Sequence, residues 1–292
     1  MSRTPPVPKR TPYPSDLTDA QWGLIQDLIP EPKHHPNLQQ PLYSRREIVN
    51  GILYVLRTGC QWRHLPHDFP PWGSVYHCMY VWRSSALLDD ILNRLRLMAR
   101  TTAGRNPTPT LGIIDSQSAK TTEAAAETAR GFDAGKKVKG RKRHVLVDVC
   151  GIILAVVVTV ASVQDRDGAV PLIQAAHMLF PTITKILVDG AYVGNVIDKA
   201  VAETGIDVEV TKRNEQVRGF VPVRLRWAVE RTFAWIGRYR RTSKDYEKLC
   251  STEESVVKWA TVAMLLRRLA PSGGSDSVKQ RYSRGPTAAM PC

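Results

Sequence analysis

The stretch GIIDSQSAK, residues 112–120, places an aspartate directly behind an apolar run that is typical of the end of a buried strand. The pattern returns in KILVDGAY, residues 185–192, where Asp189 takes the place that Asp115 has in the first stretch. Open α/β sheets hold their sites beyond the carboxyl ends of strands, so both aspartates are expected at one sheet edge, each followed by a small residue that leaves room for a ligand. The alternative is that each acid only caps a turn, and the repetition of the pattern weakens it.

The order of the predicted elements gives the fold class. Short runs rich in Val and Ile predict strands at residues 110–114, 143–149, 152–163, 184–188 and 208–211. Helical spacing predicts helices at residues 167–179, 196–203, 223–239 and 253–269. Three strands followed by alternating helices and strands predict an α/β fold, a mixed sheet with flanking helices.

The chain before this domain shows a different pattern. Residues 16–104 have helical spacing of apolar residues and predict about four helices, two of which follow a capping-box spacing, Thr18 with Gln21 and Ser44 with Glu47. This helical N-terminal region is either a DNA-binding module or a cap that only packs on the main domain, because no fingerprint marks a recognition helix.

The two ends of the chain differ in composition from the rest. Residues 1–15 are rich in Pro and residues 271–292 in Ser, Gly and Pro, which predicts a disordered arm and a disordered tail. The remaining segment, residues 105–270, is the predicted catalytic domain.

The charge of the chain indicates a polyanionic partner. Among 292 residues, 41 lysines and arginines stand against 27 acidic residues, which gives a formal net charge of +14. This surplus attracts polyanions whatever the fold, so nucleic acid is the leading candidate partner and a membrane surface the lesser one. No glycine-rich phosphate-binding motif is found, so no nucleotide cofactor is expected.

Cysteine usage and hydropathy indicate the compartment. The five cysteines form neither a CxxC pair nor a zinc-ligand spacing, which favours a reducing compartment over a disulfide framework. The start of the chain lacks the apolar core of a secretory signal, and the longest apolar run, residues 149–163, is shorter than the roughly 20 residues that a membrane-spanning helix needs. We therefore expect a cytoplasmic protein without a membrane span.

A third acid stands in a basic helix. Glu230 is alone among six arginines between residues 224 and 241. On a helix it shares a face with Arg226 and lies beside the apolar stripe that contains Val229 and Ile236. An ordinary ion pair with Arg226, four residues away, is the alternative. That alternative does not explain an acid on the face that would meet a polyanion.

One hypothesis accounts for all three acids. Two aspartates at strand ends and a helical glutamate offer hard oxygen ligands for magnesium, with manganese as the other possible ion. Two such ions about 3.5–4 Å apart stabilise the attacking and leaving oxygens of a phosphodiester displacement. The basic residues would then hold the DNA backbone while the acids hold the ions.

Five segments in one order resemble the bacterial insertion-sequence transposases of the DDE superfamily: IIDSQSAKT, GFDAGKKVKGRKRHVLVDVCG, VQDRDGA, LVDGAY and RWAVERTFAWIGRYRR. The resemblance covers residues 16–270. It implies a ribonuclease-H-like fold for the catalytic domain, and it implies that Asp115, Asp189 and Glu230 are the catalytic, metal-binding triad. In the family Asp115 would bridge both metal ions, and the other two acids would complete one site each.

The chain departs from the family pattern around the glutamate. Related transposases carry Tyr-x2-Arg-x3-Glu-x6-Lys there, and Arg226 and Glu230 fit this signature. Val223 stands at the tyrosine position and Gly237 at the lysine position, so these two DNA contacts are not carried over. The short interval before Glu230 leaves no room for the large insertion domain of some relatives.

The resemblance implies a DNA transposase. Such an enzyme binds the terminal inverted repeats of its own element, cleaves the element ends and transfers their 3′ hydroxyl groups to target DNA. Double-stranded DNA, a homodimer on that DNA and a nucleoid-associated location in the bacterial cytoplasm are implied with it. Two alternatives remain open, a metal-dependent nuclease or resolvase of the same fold and a DNA-binding regulator with a silent triad.

Basic residues around the acids are the expected phosphate contacts. Each neutralised phosphate adds about −0.9 to the slope of log affinity against log salt on duplex DNA. For the run at residues 136–143 the alternative is a solvated loop or strand edge, and Trp227 and Trp235 are either base-stacking or core residues. The expected DNA-binding residues are Lys136, Lys137, Lys139, Arg141, Lys142, Arg143, Arg226, Arg231, Arg238, Arg240 and Arg241.

Overall fold

The computed structural model describes residues 10–31, 43–211 and 227–272. Its described residues contain a six-stranded mixed sheet, in which the first strand pairs antiparallel with the third and parallel with the fifth. The third strand also pairs antiparallel with the fourth and, at its start, with the short second strand. In chain order the strands are β1 (Leu111–Lys120), β2 (Gly131–Asp133), β3 (Val138–Asp148), β4 (Ile153–Val160), β5 (Lys185–Val188) and β6 (Asp207–Val210).

Eight helices surround this sheet or precede it in the described part of the chain. Four come before β1, and the other four alternate with the later strands or follow them. This confirms the predicted mixed α/β sheet with flanking helices after a helical N-terminal region. The helices are α1 (Asp19–Gly23), α2 (Arg45–Thr58), α3 (Trp72–Arg83), α4 (Leu87–Thr102), α5 (Asp165–Leu179), α6 (Asn195–Thr204), α7 (Trp227–Ile236) and α8 (Cys250–Leu269).

The two faces of the sheet bury different helices because successive strand residues point to opposite sides. Ile113 on β1 and Leu187 on β5 lie in one apolar cluster with Val229 of α7. Their chain neighbours Ile114 and Ile186 lie in another cluster, with residues of α5 and α6. The side of the sheet on which a β1 or β5 side chain lies therefore decides which helix it meets.

The N-terminal helices share their core with the end of the chain. Trp259 of α8 is fully buried, and its ring lies 6.1 Å from that of Trp82 on α3. Thr18 and Gln21 form the predicted capping box at the start of α1, whereas Ser44 makes no side-chain cap bond at the start of α2. The helical region is thus built partly from the last helix, which the order of the sequence alone does not indicate.

The predicted disordered arm is corrected from residue 10 onward. The Arg10 guanidinium donates to Asp16 at 2.7 Å and to Glu47 at 2.8 Å, and it lies 4.0 Å from the ring centre of Phe69. Tyr13 stacks on the same ring, with 5.2 Å between the ring centres. These contacts hold residues 10–15 against the helical core. Residues 1–9 and 273–292 lie outside the described residues.

No helix in the described ranges is both long enough and apolar enough to cross a bilayer.

A buried ion pair joins the helical region to the sheet. Arg100 of α4 donates to Asp148 at the end of β3, and these side chains are 5% and 0% exposed. The other oxygen of Asp148 accepts the backbone N–H groups of Cys150 and Ile152 at 2.9 and 2.8 Å. One carboxylate therefore holds both the β3–β4 turn and the last turns of α4.

We expect Arg100→Ala to lower the free energy of unfolding by about 3–5 kcal/mol, because it leaves the Asp148 carboxylate buried without its cation. The matched control is Arg94→Ala on the same helix, whose partner Asp27 is exposed. That control should cost far less. Denaturant unfolding of the two variants measures the difference, and equal losses would contradict the role of the buried pair.

Candidate active site

Asp115 lies within β1, and Asp189 directly follows β5, the parallel neighbour of β1. The pairing of β1 with β5 joins Ile113 to Leu187 and ends there. Each aspartate lies two residues beyond a member of this pair, so both have the strand parity of the face that α7 covers. The prediction that Asp115 ends its strand is corrected, because β1 continues to Lys120 in pairing with β3 alone.

Backbone hydrogen bonds orient one oxygen of each aspartate. Asp115 Oδ1 accepts the Ser116 N–H at 2.7 Å, and Asp189 Oδ1 accepts the Ala191 N–H at 2.8 Å. The second bond starts a short 3₁₀ turn, Gly190–Tyr192, directly after β5. Asp189 therefore caps a turn, as the alternative interpretation of this residue predicted, and that turn ends at Tyr192.

Glu230 lies in the first turn of α7 and is exposed. Its neighbours Ala228 and Val229 are buried in the cluster that contains Ile113 and Leu187, so α7 packs on the same sheet face that carries the aspartates. However, no group of three or more His, Cys, Asp or Glu side chains is arranged as a metal-ligand set within residues 10–31, 43–211 and 227–272. The structure brings the two aspartates to one edge and does not join Glu230 to them.

The side chains at this site are of the type that binds a divalent ion. Two carboxylates at one sheet edge supply the hard oxygen atoms that magnesium and manganese prefer. The set is incomplete in this arrangement because its third carboxylate stands apart on the helix. Asp115 and Asp189 are therefore the residues that would hold such an ion, with Glu230 as the candidate third ligand.

A polar network behind Asp115 was not predicted from the sequence. The Ser116 hydroxyl donates to Asp165 Oδ1 at 2.7 Å, at the start of α5. Lys142 Nζ, almost fully buried, lies 2.9 Å from that oxygen and 3.4 Å from Asp133 Oδ2. Lys136 Nζ donates to the Ser116 carbonyl at 3.1 Å. We call these five residues the Lys142 network. It ties the residue after Asp115 to β2, β3 and α5.

The network keeps its acids ionised. Burial alone would raise the pKa of Asp165, but hydrogen bonds from Lys142 and Ser116 outweigh burial and lower it. Burial also opposes ionisation of Asp133, yet the Ser118 hydroxyl, the Lys136 N–H and Lys142 lower its pKa to about 2. Lys142 therefore remains flanked by two carboxylates at neutral pH.

Tyr192 is the second residue that the sequence left without a role. Its side chain is 1% exposed, and its hydroxyl has no hydrogen-bond partner of good geometry in the described part of the chain. Burial raises the pKa of this hydroxyl, and the negative charges of Asp115, Asp165 and Asp189 raise it further. A side-chain interaction with Ser116 acts in the opposite direction on this pKa but is outweighed, so the hydroxyl stays protonated.

Sequence signals for these residues existed but were incomplete. Asp165 lies in the VQDRDGA segment and Tyr192 in the LVDGAY segment, both of which carry the family resemblance. Neither residue could be assigned a role, because their proximity depends on the return of the chain after β4 and β5. Lys142 gave no signal, since a lysine within a basic run is normally solvated.

The interior position of β3 corrects the expected phosphate contacts at three residues. Arg141 is 0% exposed and lies 2.9 Å from Asp245, while Arg143 is 2% exposed and lies 2.5 Å from Glu253. Lys142 belongs to the network described above. A cation in a protein interior requires a paired acid, and these pairs occupy the charges that were expected to hold DNA.

The same correction applies to Arg241, and Arg231 is partly engaged. Arg241 is buried, 2.5 Å from Glu247. The Arg231 guanidinium lies between the rings of Trp227 and Trp235, 4.4 and 4.6 Å from their centres, and donates to the Cys150 carbonyl at 3.0 Å. Burial lowers the pKa of Arg231. The two tryptophans therefore stack on an arginine of their own helix.

The remaining basic candidates lie at the surface or outside the described ranges. Arg226 and Val223 fall among residues 212–226, outside the described residues. Lys139 contacts Glu127 at 2.8 Å and is solvent-exposed. The exposed basic residues are Lys136, Lys137, Lys139, Arg238 and Arg240.

Comparison with known families gives two adjoining matches. Residues 17–92 match a family described as "Putative transposase of IS4/5 family". Residues 106–265, more than half of the chain, match the family "Transposase DDE domain". The first match lies in the helical N-terminal region and the second covers the sheet domain, which is ribonuclease-H-like, as expected from the resemblance.

Individual relatives agree with this assignment. The chain is 30% identical over 128 residues to a protein of Burkholderia cepacia named "Putative transposase for insertion sequence element IS402", covering 41% of this chain and 59% of that protein. It is 41% identical over 54 residues to the "Insertion element IS402 uncharacterized 16.2 kDa protein" of the same organism, covering 18% of this chain and 37% of that protein. The chain thus spans less than two thirds of these relatives. No solved structure matches the chain significantly.

His144 on β3 gives the domain a specific acid sensitivity. It is fully buried, as a strand residue, and its Nε2 lies 3.0 Å from the Thr159 hydroxyl. Burial lowers its pKa from 6.5 to about 4, although Asp165 acts in the opposite direction. Because the folded-state pKa is depressed, the neutral ring stabilises the fold above pH 6.5. This stabilisation is lost as the pH falls from 6.5 towards about 4.

We expect His144→Gln to reduce the loss of stability between those pH values by about 3 kcal/mol. Urea unfolding at a series of pH values measures this. His177→Gln, which changes an exposed histidine on α5, should leave the pH profile of the unaltered chain in place. An unchanged profile for His144→Gln would contradict the buried neutral ring.

Proposed function

The chain belongs to the DDE transposase family, and we propose that it is a DNA transposase that binds the terminal inverted repeats of its own element, cleaves the element ends and transfers their 3′ hydroxyl groups to target DNA. The observation that carries this proposal is the position of Asp115 and Asp189, side by side beyond the last residue pair of β1 and β5. Two carboxylates at one sheet edge are what a phosphodiester reaction assisted by divalent ions requires.

We propose magnesium, with manganese as a substitute, as the ion of this site. DDE transposase domains depend on divalent metals in general, and Asp115 and Asp189 would hold the ion here. Glu230 would join them when DNA is bound, since α7 already packs on the face that carries the aspartates. When bound, the ion supplies positive charge that stabilises the developing charge on the scissile phosphate.

The residues around the acids have separate tasks in this proposal. The Lys142 network fixes the backbone at Ser116 and so orients Asp115. The Tyr192 hydroxyl, which has no hydrogen-bond partner of good geometry in the described part of the chain, would donate to a carboxylate of the site once DNA and the ion are bound. Its ring is anchored in the apolar cluster that contains residues of α5 and α6, which fixes where the hydroxyl lies.

The proposed partner is double-stranded DNA, both the inverted repeats and the target, held by a homodimer at the nucleoid in the cytoplasm. Phosphate contacts are proposed only for basic residues whose charge reaches the surface, because the buried arginines of β3 are already paired with acids. These residues are Lys136, Lys137, Lys139, Arg238 and Arg240, together with Arg226 from the family signature.

Asp115→Asn tests the catalytic assignment. The change keeps the shape of the side chain and removes its charge, so cleavage of a labelled duplex copied from the DNA that flanks the coding region should fall by roughly a thousandfold, equivalent to about 4 kcal/mol. The dissociation constant for the duplex should stay within about twofold of that of the unaltered chain, because the DNA-contacting residues are unchanged. Asp198→Asn, on the exposed side of α6, is the control and should cleave normally.

Unchanged cleavage by the Asp115→Asn chain would refute the proposed chemistry. Loading pre-cut ends then separates the remaining alternatives. A transposase joins them to a target plasmid, whereas a nuclease or resolvase of the same fold gives no joined product, and a regulator neither cuts nor joins.

Tyr192→Phe tests the role of the buried hydroxyl. We expect the fold to be at least as stable, because a polar group without a partner is removed from an apolar cluster. Cleavage should fall roughly tenfold, the equivalent of one hydrogen bond to a charged group. Tyr239→Phe, which changes a tyrosine buried in the helical core, is the matched control. A Tyr192→Phe chain that cleaves at the normal rate would show that the hydroxyl has no part in the reaction.

A further inference from the structure

Helix α3 presents a row of aromatic side chains to solvent. Trp72, Tyr76 and Tyr80 are 40%, 36% and 49% exposed, and their spacing of four places them along one face of the helix. The adjoining side of the helix is buried in the helical core through Val75 and Met79. Large aromatic side chains gathered on one exposed face mark an interaction surface.

Two arginines lie on these rings. The Arg63 guanidinium is 5.5 Å from the ring centre of Trp72, and that of Arg83 is 4.4 Å from the ring centre of Tyr80. Arg83 is also held by the Thr252 hydroxyl at 2.5 Å, which fixes its position. We call Arg63, Trp72, Tyr76, Tyr80 and Arg83 the aromatic stripe.

The charge of the stripe selects its occupant. The sequence of α3, WGSVYHCMYVWR, contains no acidic residue, and the charged side chains on the exposed rings are those of Arg63 and Arg83. A second copy of the chain that met this face about a two-fold axis would bring Arg63 and Arg83 against arginines. A phosphate backbone neutralises the same arginines and accepts hydrogen bonds from indole and phenol groups.

The length of the stripe fits duplex DNA. At 1.5 Å per residue, Trp72 and Tyr80 lie about 12 Å apart along the helix axis. The major groove of B-DNA is also about 12 Å wide and admits an α-helix. The two ends of the stripe therefore match the distance between the phosphate walls of one groove.

We propose that the aromatic stripe docks on the sugar-phosphate backbone of duplex DNA across one major groove. This inference rests on the proposed function, since it names where the DNA of the element meets the helical region. Arg63 and Arg83 neutralise phosphates, and the Trp72 N–H and the Tyr76 and Tyr80 hydroxyls donate to phosphate oxygens. Such contacts position DNA and do not read its sequence.

The test uses the full chain and two fluorescent duplexes, one copied from the DNA that flanks the coding region and one of scrambled sequence. Trp72→Gln combined with Tyr80→Gln should weaken binding to both duplexes by about tenfold or more, because backbone contacts are independent of sequence. The control is Met178→Gln combined with Leu179→Gln, which replaces two apolar side chains on α5 that are 72% and 61% exposed. The control should bind normally.

Arg63→Gln gives a second measurement that does not depend on the aromatic rings. It should make the slope of log affinity against log salt shallower by about 0.9, the effect of one lost phosphate contact. Lys199→Gln, an exposed lysine on α6, should leave the slope unchanged.

Normal DNA affinity of the double glutamine variant, or an altered oligomeric state of this variant without DNA in sedimentation, would overturn the inference. The second result would assign the stripe to contact between copies of the chain. Cleavage is measured separately through Asp115→Asn. If Asp115→Asn cleaves normally but the double glutamine variant loses DNA affinity, the catalytic proposal fails and the stripe proposal stands. If the double glutamine variant binds DNA normally but Asp115→Asn loses cleavage, the stripe proposal fails and the catalytic proposal stands.

Discussion

The parallel pairing of β1 with β5 is the interaction on which the candidate site depends. Hydrogen bonds in register between Leu111–Ile113 and Lys185–Leu187 fix two segments that are more than 70 residues apart in the chain. A slip of one residue would turn Asp115 or Asp189 to the opposite face, where α5 and α6 pack. The register therefore sets the site directly, and the apolar residues before each acid maintain that register because they are buried on both faces.

Charge buried in β3 is the second constraint. Arg141 and Arg143 point to one face and bind acids of the segment before α8 and of α8 itself, while Lys142 points to the other and binds acids of β2 and α5. Each pair is costly to desolvate, and its loss on one side would leave a buried charge. The basic run thus connects the sheet with its surrounding elements and holds Ser116, the residue after Asp115, whereas the proposed phosphate contacts are exposed residues elsewhere.

Two surfaces of the molecule differ in their chemistry. The sheet edge gathers acids, which suit divalent ions, and the exposed face of α3 gathers arginines and aromatic rings, which suit phosphate and sugar. Helix α8 packs against both the N-terminal helices and β4, so the two surfaces are parts of one packed structure. The Arg100–Asp148 pair also connects α4 to the sheet domain, because the Asp148 carboxylate accepts hydrogen bonds from the β3–β4 turn as well.

The sequence by itself determined the order of the helices and of the main strands, although not the short β2, and it determined the Thr18 capping box, the apolar stripe of α7 and the place of Asp189 directly after β5. These features depend on local spacing and composition, which a single chain displays. Only the tertiary structure decided that β1 continues past Asp115, that Arg141, Lys142, Arg143 and Arg241 are paired inside, and that Asp165 and Tyr192 lie beside the aspartates. The sequence alone does not show whether a lysine or arginine is exposed to solvent or buried in an ion pair. That depends on which acid, distant in the chain, the fold places next to it.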